Sequence, residues 1–286
     1  MARWSIDQPT VRTLDGIVSL HVRIVGGHIN ILPTDDPVTL EVTDVVGEPV
    51  LASQEAGILT ITYEDLTREG ALERLRPSRL SGYRRVSKRS ATINLRIPRD
   101  CPVDIVTASA SVVAAGLSAR TTLRSASGDL TLDDVGGEIE VSTFSGSLDV
   151  RDVSGSLHFT SASGGLAVAG GQLADLSGKT GGGQLLADVD VSSAGRVRLA
   201  TVSGEVALRV PAETAASVEL RSATGKLDSA FGLDRQDQRG LGRLKGNVGN
   251  GIDPARITGT TVSGAVSLLR RDPEAPAAIP QGRNGQ

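Results

Sequence analysis

From Gly128 onward, apolar and polar residues alternate around a glycine that returns at every ninth position: Gly128, Gly137, Gly146, Gly155 and Gly164. Two residues after each glycine stand Leu130, Ile139, Leu148, Leu157 and Leu166; four after stand Leu132, Val141, Val150, Phe159 and Val168. The position between them, Thr131, Glu140, Asp149, His158 and Ala167, is mostly polar. Alternation of period two marks a half-buried strand, and its return every nine residues marks a coiling repeat. Ala126, Val135, Phe144, Val153 and Ala162, two residues before each glycine, are expected to form a third inward row.

Three residues before the glycine the chain alternates between Ser125, Thr143 and Ser161 on one hand and Asp134 and Asp152 on the other, so the full period is eighteen. Each coil then holds two short strands and two turns, one written Ser/Thr-x-Ser-Gly and the other Asp-x-Gly/Ser-Gly. Ser, Thr and Asp suit the first turn position because their oxygens accept from a nearby backbone N–H, two residues on. Glycine suits the last because it accepts a positive φ. The phase runs back through Ala110 and Ala119 and forward to Gly195 and Gly204. Looser copies follow at Thr201–Leu208, Ser222–Leu227 and Thr261–Leu268. The fold class expected is all-β: a parallel β-solenoid of nine-residue half-coils.

Before the repeat, Ile17–Val25, Gly27–Leu32, Val38–Val42 and Ile58–Tyr63 read as strands of an atypical N-terminal cap, with Trp4 covering that end. Residues 64–90 break the pattern. Arg68, Arg74, Arg76, Arg79, Arg84, Arg85, Lys88 and Arg89 crowd this stretch, offset by Asp65, Glu69 and Glu73, and four leucines suggest that it is helical in part. It reads as a basic insertion available to a protein partner, phosphate groups or a membrane surface. A second interruption, 228–251, reads as a surface loop. Residues 271–286, rich in Pro, Gly and polar residues, read as a disordered tail. The expectation is one solenoid domain over 1–270, since a solenoid grows in one dimension and escapes the usual size ceiling on a single core.

Composition fits a narrow interior: aromatic residues make up 2% of the 286, and glycine occurs 34 times. A net charge of −3 gives no global pull toward nucleic acid, and the basic insertion lacks interleaved aromatics apart from Tyr83, so nucleic-acid binding is not expected. The N-terminus has no apolar leader pattern and no segment is long and apolar enough to span a bilayer, from which a cytoplasmic protein is expected.

Chemistry-bearing patterns are sparse. Gly178-Lys179-Thr180 has the ending of a phosphate-binding loop, but Leu173 occupies the required earlier glycine and no helix pattern follows. The residues after the repeat glycines, Asp129, Glu138, Ser147, Ser156 and Gly165, are not the aspartate series of calcium-binding nonapeptides. His21, His28 and His158 are scattered, and Cys101 beside Pro102 reads as a buried thiol. Glu140 and Asp149 would serve acid–base chemistry only as neighbours, and an eighteen-residue coil sets them on opposite faces. No catalytic residue, metal or cofactor is nominated.

The repeated Ser-x-Ser-Gly-x-Leu-x-Leu/Val of 125–132 and 161–168, its close relative at 201–208, the opening Gly26-Gly-His-Ile-Asn-Ile31 and the closing Thr261-Val-Ser-Gly-Ala-Val-Ser-Leu268 resemble the bacterial adhesin-like, or toastrack-type, β-strand repeat family, over residues 16–270. The Trp4 opening and the Arg and Ala usage resemble actinobacterial members. The resemblance implies a β-solenoid without known catalysis, linked in many bacteria to envelope-stress systems and membrane-bound, phage-shock-type partners. The expected function is a non-catalytic scaffold for a protein partner, at the inner membrane surface. The alternatives are a self-assembling protein joined through its solenoid ends and a carbohydrate-active solenoid enzyme.

Overall fold

The computed structural model describes residues 2–66, 89–236 and 241–271. The nine-residue pattern folds as read: each coil lays one strand on each of two faces, and strands eighteen residues apart pair in parallel. On face 1, Leu130 lies opposite Leu148 and Leu148 opposite Leu166. On face 2, Thr121 lies opposite Ile139 and Ile139 opposite Leu157. Three long strands, Leu148–Ser161, Leu166–Thr180 and Leu185–Thr201, run from face 1 to face 2 without a break at the aspartate corner. The leucine and valine rows that predicted the coil are its interior, with Leu130, Leu148, Ile139, Leu157 and Phe159 all buried. Gly178 lies opposite Phe159 on the neighbouring strand and packs against Leu199, so a bulky residue is matched by a small one along the interior.

The two corners use glycine for different reasons. At the aspartate corner, Asp152 (φ 47°) and Gly155 (φ 93°) adopt the left-handed region, as the turn chemistry predicts. At the serine/threonine corner the glycines are not left-handed. A Cβ on Gly146 would stand 2.1 Å from the carbonyl oxygen of Gly128 in the coil below, so these glycines are required by stacking. The hydroxyl acts three residues on, not two: the Gly146 N–H donates to Thr143 Oγ1 at 3.0 Å, and the Gly164 N–H to Ser161 Oγ at 2.7 Å. These hydroxyls are buried, and each satisfies a backbone donor that the tight corner would otherwise strand. The third apolar row also divides by corner. Val135 and Val153 are buried, whereas Ala126, Phe144 and Ala162 point out to solvent.

The ends depart from simple coiling. The strands Ser19–Ile24 and Gly26–Pro33, expected to belong to a cap, form an interior coil: they lie between Ile58–Thr62 and Ser90–Ile97 on one side and Val103–Thr107 and Ser111–Ala115 on the other. The cap consists of antiparallel strands, Ala2–Ile6 on Val50–Glu55 and Thr10–Leu14 on Val38–Val46. At the far end the last coil in sequence, Ala255–Thr261 with Val266–Arg271, likewise slots one place inward. It sits between the coil of Leu185–Thr201 and Val206–Pro211 and the coil of Ala216–Ser222 and Leu227–Ser229. Residues 228–251 are therefore not a plain loop. They hold the end of Leu227–Ser229, the short strand Asp234–Arg235 and the strand Gly242–Val248, which lies antiparallel on Ala216–Ser222. Across face 1, Arg271 on the inserted coil reaches both Asp188 and Asp190, and Arg209 also holds Asp188.

Candidate interaction surfaces

The basic insertion occupies a serine/threonine corner, between Ile58–Thr62 on face 2 and Ser90–Ile97 on face 1, where other coils make a four-residue turn. A 3-10 turn, Glu64–Leu66, begins it. Arg68, Arg74, Arg76, Arg79, Arg84, Arg85 and Lys88 lie outside the described residues, as does any helix beyond Leu66. Arg89 is described, and it is not a free docking cation. Only 8% exposed, it pairs with Asp65 at 2.7 Å and Glu48 at 2.8 Å, and its guanidinium stands over the Tyr63 ring. Burial is the main cause that pushes the Tyr63 phenol up to about 12. Asp65 and Arg89 flank the segment on either side, so their ion pair closes its base. The two interruptions join the solenoid at opposite ends: the first leaves the outermost parallel coil at the amino-terminal end, and the hairpin of the second pairs with the outermost coil at the other.

The carboxylates weighed for acid–base chemistry separate as the period requires. Glu140 is on face 2, beside His158 of the next coil and 3.5 Å from Arg120, whereas Asp149 is on face 1 between Thr131 and Ala167. His28 donates or accepts at Ser111 Oγ, 2.6 Å away, on face 1, while His21 and His158 lie on face 2, separated by three intervening strands. Among the described residues no group of three metal-ligating side chains stands together. Cys101 is buried, and burial is the first cause that raises its thiol to about 11. Lys179, from the phosphate-loop-like triplet, points outward from a mid-sheet strand, with backbone pairing on both sides.

Face 2 is electrostatically divided along its length. In its amino-terminal half most cations meet carboxylates, Arg124 with Asp104 and Arg120 with Glu138 and Glu140, and Arg23 stands exposed without such a partner among the described residues. In its carboxy-terminal half Lys179, Arg198, Arg256 and Lys245 are exposed and have no carboxylate partner among the described residues. Arg196, opposite Arg256, pairs with Asp175 at 3.7 Å. Burial works to raise the Glu219 carboxyl, but Arg221 and Arg243 overcome it and hold the group below its usual range. The sequence reading missed this cluster. Arg198 lies one strand over from Lys179 through ordinary coiling, whereas Arg256 arrives only because the last coil is inserted next to Leu185–Thr201.

A ridge of apolar side chains borders the same face. At the second position of two adjacent serine/threonine corners stand Val202 and Val262, exposed by 56% and 50%, and Phe144, exposed by 69%, holds the same position further along, beyond the corners of Ala162 and Gly181. Backbone bonds between coils order them, the Val262 N–H donating to the Val202 carbonyl at 3.1 Å.

Residues 17–269 match the family model Toastrack DUF4097. The chain belongs to that family. The Toastrack match begins just before the first interior coil and ends within the last, so it spans the whole set of parallel coils. No curated protein gives a significant match. Three solved structures are similar to this Toastrack chain. The putative cell adhesion protein of Clostridium sporogenes ATCC 15579 is 10% identical, over 92% of this chain and 99% of its own, with a TM-score of 0.28. A putative adhesin of Parabacteroides distasonis ATCC 8503 is 12% identical, over 94% and 97%, at 0.37. A putative lipid binding protein of the same strain is 11% identical, over 93% and 98%, at 0.38.

Proposed function

We propose that this Toastrack chain is a non-catalytic scaffold whose faces and basic insertion present a surface to a protein partner at the cytoplasmic side of the cell envelope. The observation that carries the reading is the base of the insertion. Repeat proteins place long per-repeat insertions where they bind, because the coils themselves supply a stiff frame. Here the frame closes the segment with a pair between buried Arg89 and half-buried Asp65, reinforced by Glu48 and Tyr63. The separation of Glu140 and Asp149 supports a binding role over glycoside chemistry, which needs both carboxylates at one bond. The outermost strands support binding to another protein over end-to-end assembly. Leu227–Ser229 and Asp234–Arg235 are very short, and Ala2–Ile6 carries Arg3 on its edge, features that blunt strand addition. Crosslinked affinity purification from the native host, with soluble and membrane fractions analysed separately, tests the reading. A specific protein recovered in proportion to the bait supports it, and recovery of the bait alone at every crosslinker dose overturns it.

A further inference from the structure

The carboxy-terminal half of face 2 combines two features that together specify a kind of partner. Lys179, Arg198 and Arg256 occupy three adjacent strands, and Lys245 lies two strands further out, so the cations spread over about 20 Å at the usual strand spacing. The surface between them is hydroxylated, with Ser177, Thr258 and Thr260 outward, and among the described residues it carries no aromatic platform for a base or a sugar. Of the carboxylates on it, Asp175 and Glu219 are already engaged by Arg196 and by Arg221 with Arg243, while Asp234 and Glu219 flank Lys245 at the outer edge, so the cations free of a facing carboxylate are Lys179, Arg198 and Arg256. Along its rim the corner exposes Val202 and Val262, each just past the end of the strand that carries Arg198 or Arg256, with Phe144 further along beyond two intervening corners. Cations beside protruding apolar side chains match a bilayer interface, where lipid phosphates lie at one depth and acyl chains just below.

We propose that this half of face 2 and its apolar rim seat the protein on an anionic lipid bilayer. The proposal deepens the envelope reading and rests on it for location. Its test needs no protein partner, so failure of either reading is seen separately. Charge complementarity with lipid phosphate explains the unpaired cations, and insertion of the rim explains why Val202 and Val262 stand half exposed at a corner.

The test is co-sedimentation of the purified full chain with vesicles of phosphatidylcholine alone and of phosphatidylcholine mixed with phosphatidylglycerol. Wild type is expected to bind the anionic vesicles, to release as salt is raised, and to leave neutral vesicles unbound. Each cation at an anionic surface contributes about fivefold. Lys179→Gln with Arg198→Gln should therefore weaken binding by a factor of about 25, with circular dichroism unchanged because neither residue has an ion pair to lose. Val202→Ser with Val262→Ser should weaken it by about tenfold or more, since two apolar side chains no longer enter the interface. The proposal is overturned if wild type ignores anionic vesicles or if the Gln pair binds as wild type does, which would place any attraction in the basic insertion. It is also overturned if the Ser pair has no effect while soluble polyglutamate displaces the protein fully, the behaviour of a site for an acidic protein.

Discussion

Replacing Gly146 by Ala adds a single methyl group where the coils have no room for it. The new Cβ would stand 2.1 Å from the Gly128 carbonyl oxygen and 2.8 Å from its carbon, against ordinary contact at 3.4 Å or more. The obstacle is backbone, so the two coils must separate by about 1 Å. That movement strains the flanking bonds from the Phe144 N–H to the Ser125 carbonyl and from the Ser145 N–H to the Ala126 carbonyl, now 3.1 and 3.0 Å. Overpacking costs about 1–3 kcal/mol, and weakening two backbone hydrogen bonds adds about 1 kcal/mol, for a loss of about 3 kcal/mol. With a urea slope near 3 kcal/mol per molar, the unfolding midpoint should fall by about 1 M. Gly232→Ala is the control, because a Cβ there meets nothing within 4 Å and its φ is not left-handed. Its midpoint should move little, within about 0.5 kcal/mol. Urea denaturation followed by far-ultraviolet circular dichroism measures both. Equal midpoints for the two variants would refute the claim that stacking, rather than turn conformation, demands glycine at this corner.

Three further outcomes follow from the packing. Deleting residues 255–286 removes an interior coil, not an end, and uncovers Val206, Leu208, Val218 and Leu220 at once. The truncated chain should lack a cooperative thermal transition, and retention of one would show that the last coil is peripheral. Cys101, with its thiol raised to about 11, is about one part in a thousand thiolate at pH 8. Ellman's reagent should therefore react at least a hundredfold more slowly with the native protein than with the urea-unfolded chain, and equal rates would contradict burial. The Asp188 carboxyl is held below its usual range, first by the hydrogen bond from Arg209 and then by the charges of Arg209 and Arg271. A depressed carboxylate stabilises the fold above the unfolded value near 3.9 and loses that contribution as pH falls through the folded value. Thermal midpoints from pH 7 to pH 3 should fall less steeply in Asp188→Asn than in wild type, and parallel curves would count against the clamp.

The repeat was legible because coils demand the same residues at the same offsets: Leu130, Leu148 and Leu166 face inward for one physical reason, repeated. What was not legible depends on relations between coils. Phe144 and Val153 hold the same place relative to their glycines, yet one corner turns that place outward and the other inward. The strands at 19–33 and 255–271 carry the ordinary coil pattern, and nothing in it says that each fits one place inside the stack. The cationic half of face 2 shares that cause, since Arg256 meets Arg196 across 60 residues of chain. Arg89 was misread as part of the docking segment because eight basic residues in a short stretch look alike in sequence. Its carboxylates, Glu48 and Asp65, lie on separate turns that only the fold brings together.

The scaffold reading is tested most directly by comparing two variants in crosslinked affinity purification from the native host. One replaces Arg74, Arg76, Arg84 and Arg85 with Ala, and the other replaces Glu140 and Asp149 with Ala. The account predicts that the first loses the partner at unchanged thermal stability, while the second recovers it as wild type does. Loss of function and partner in the carboxylate variant, with the arginine variant unaffected, would contradict it and point back to chemistry on the solenoid face.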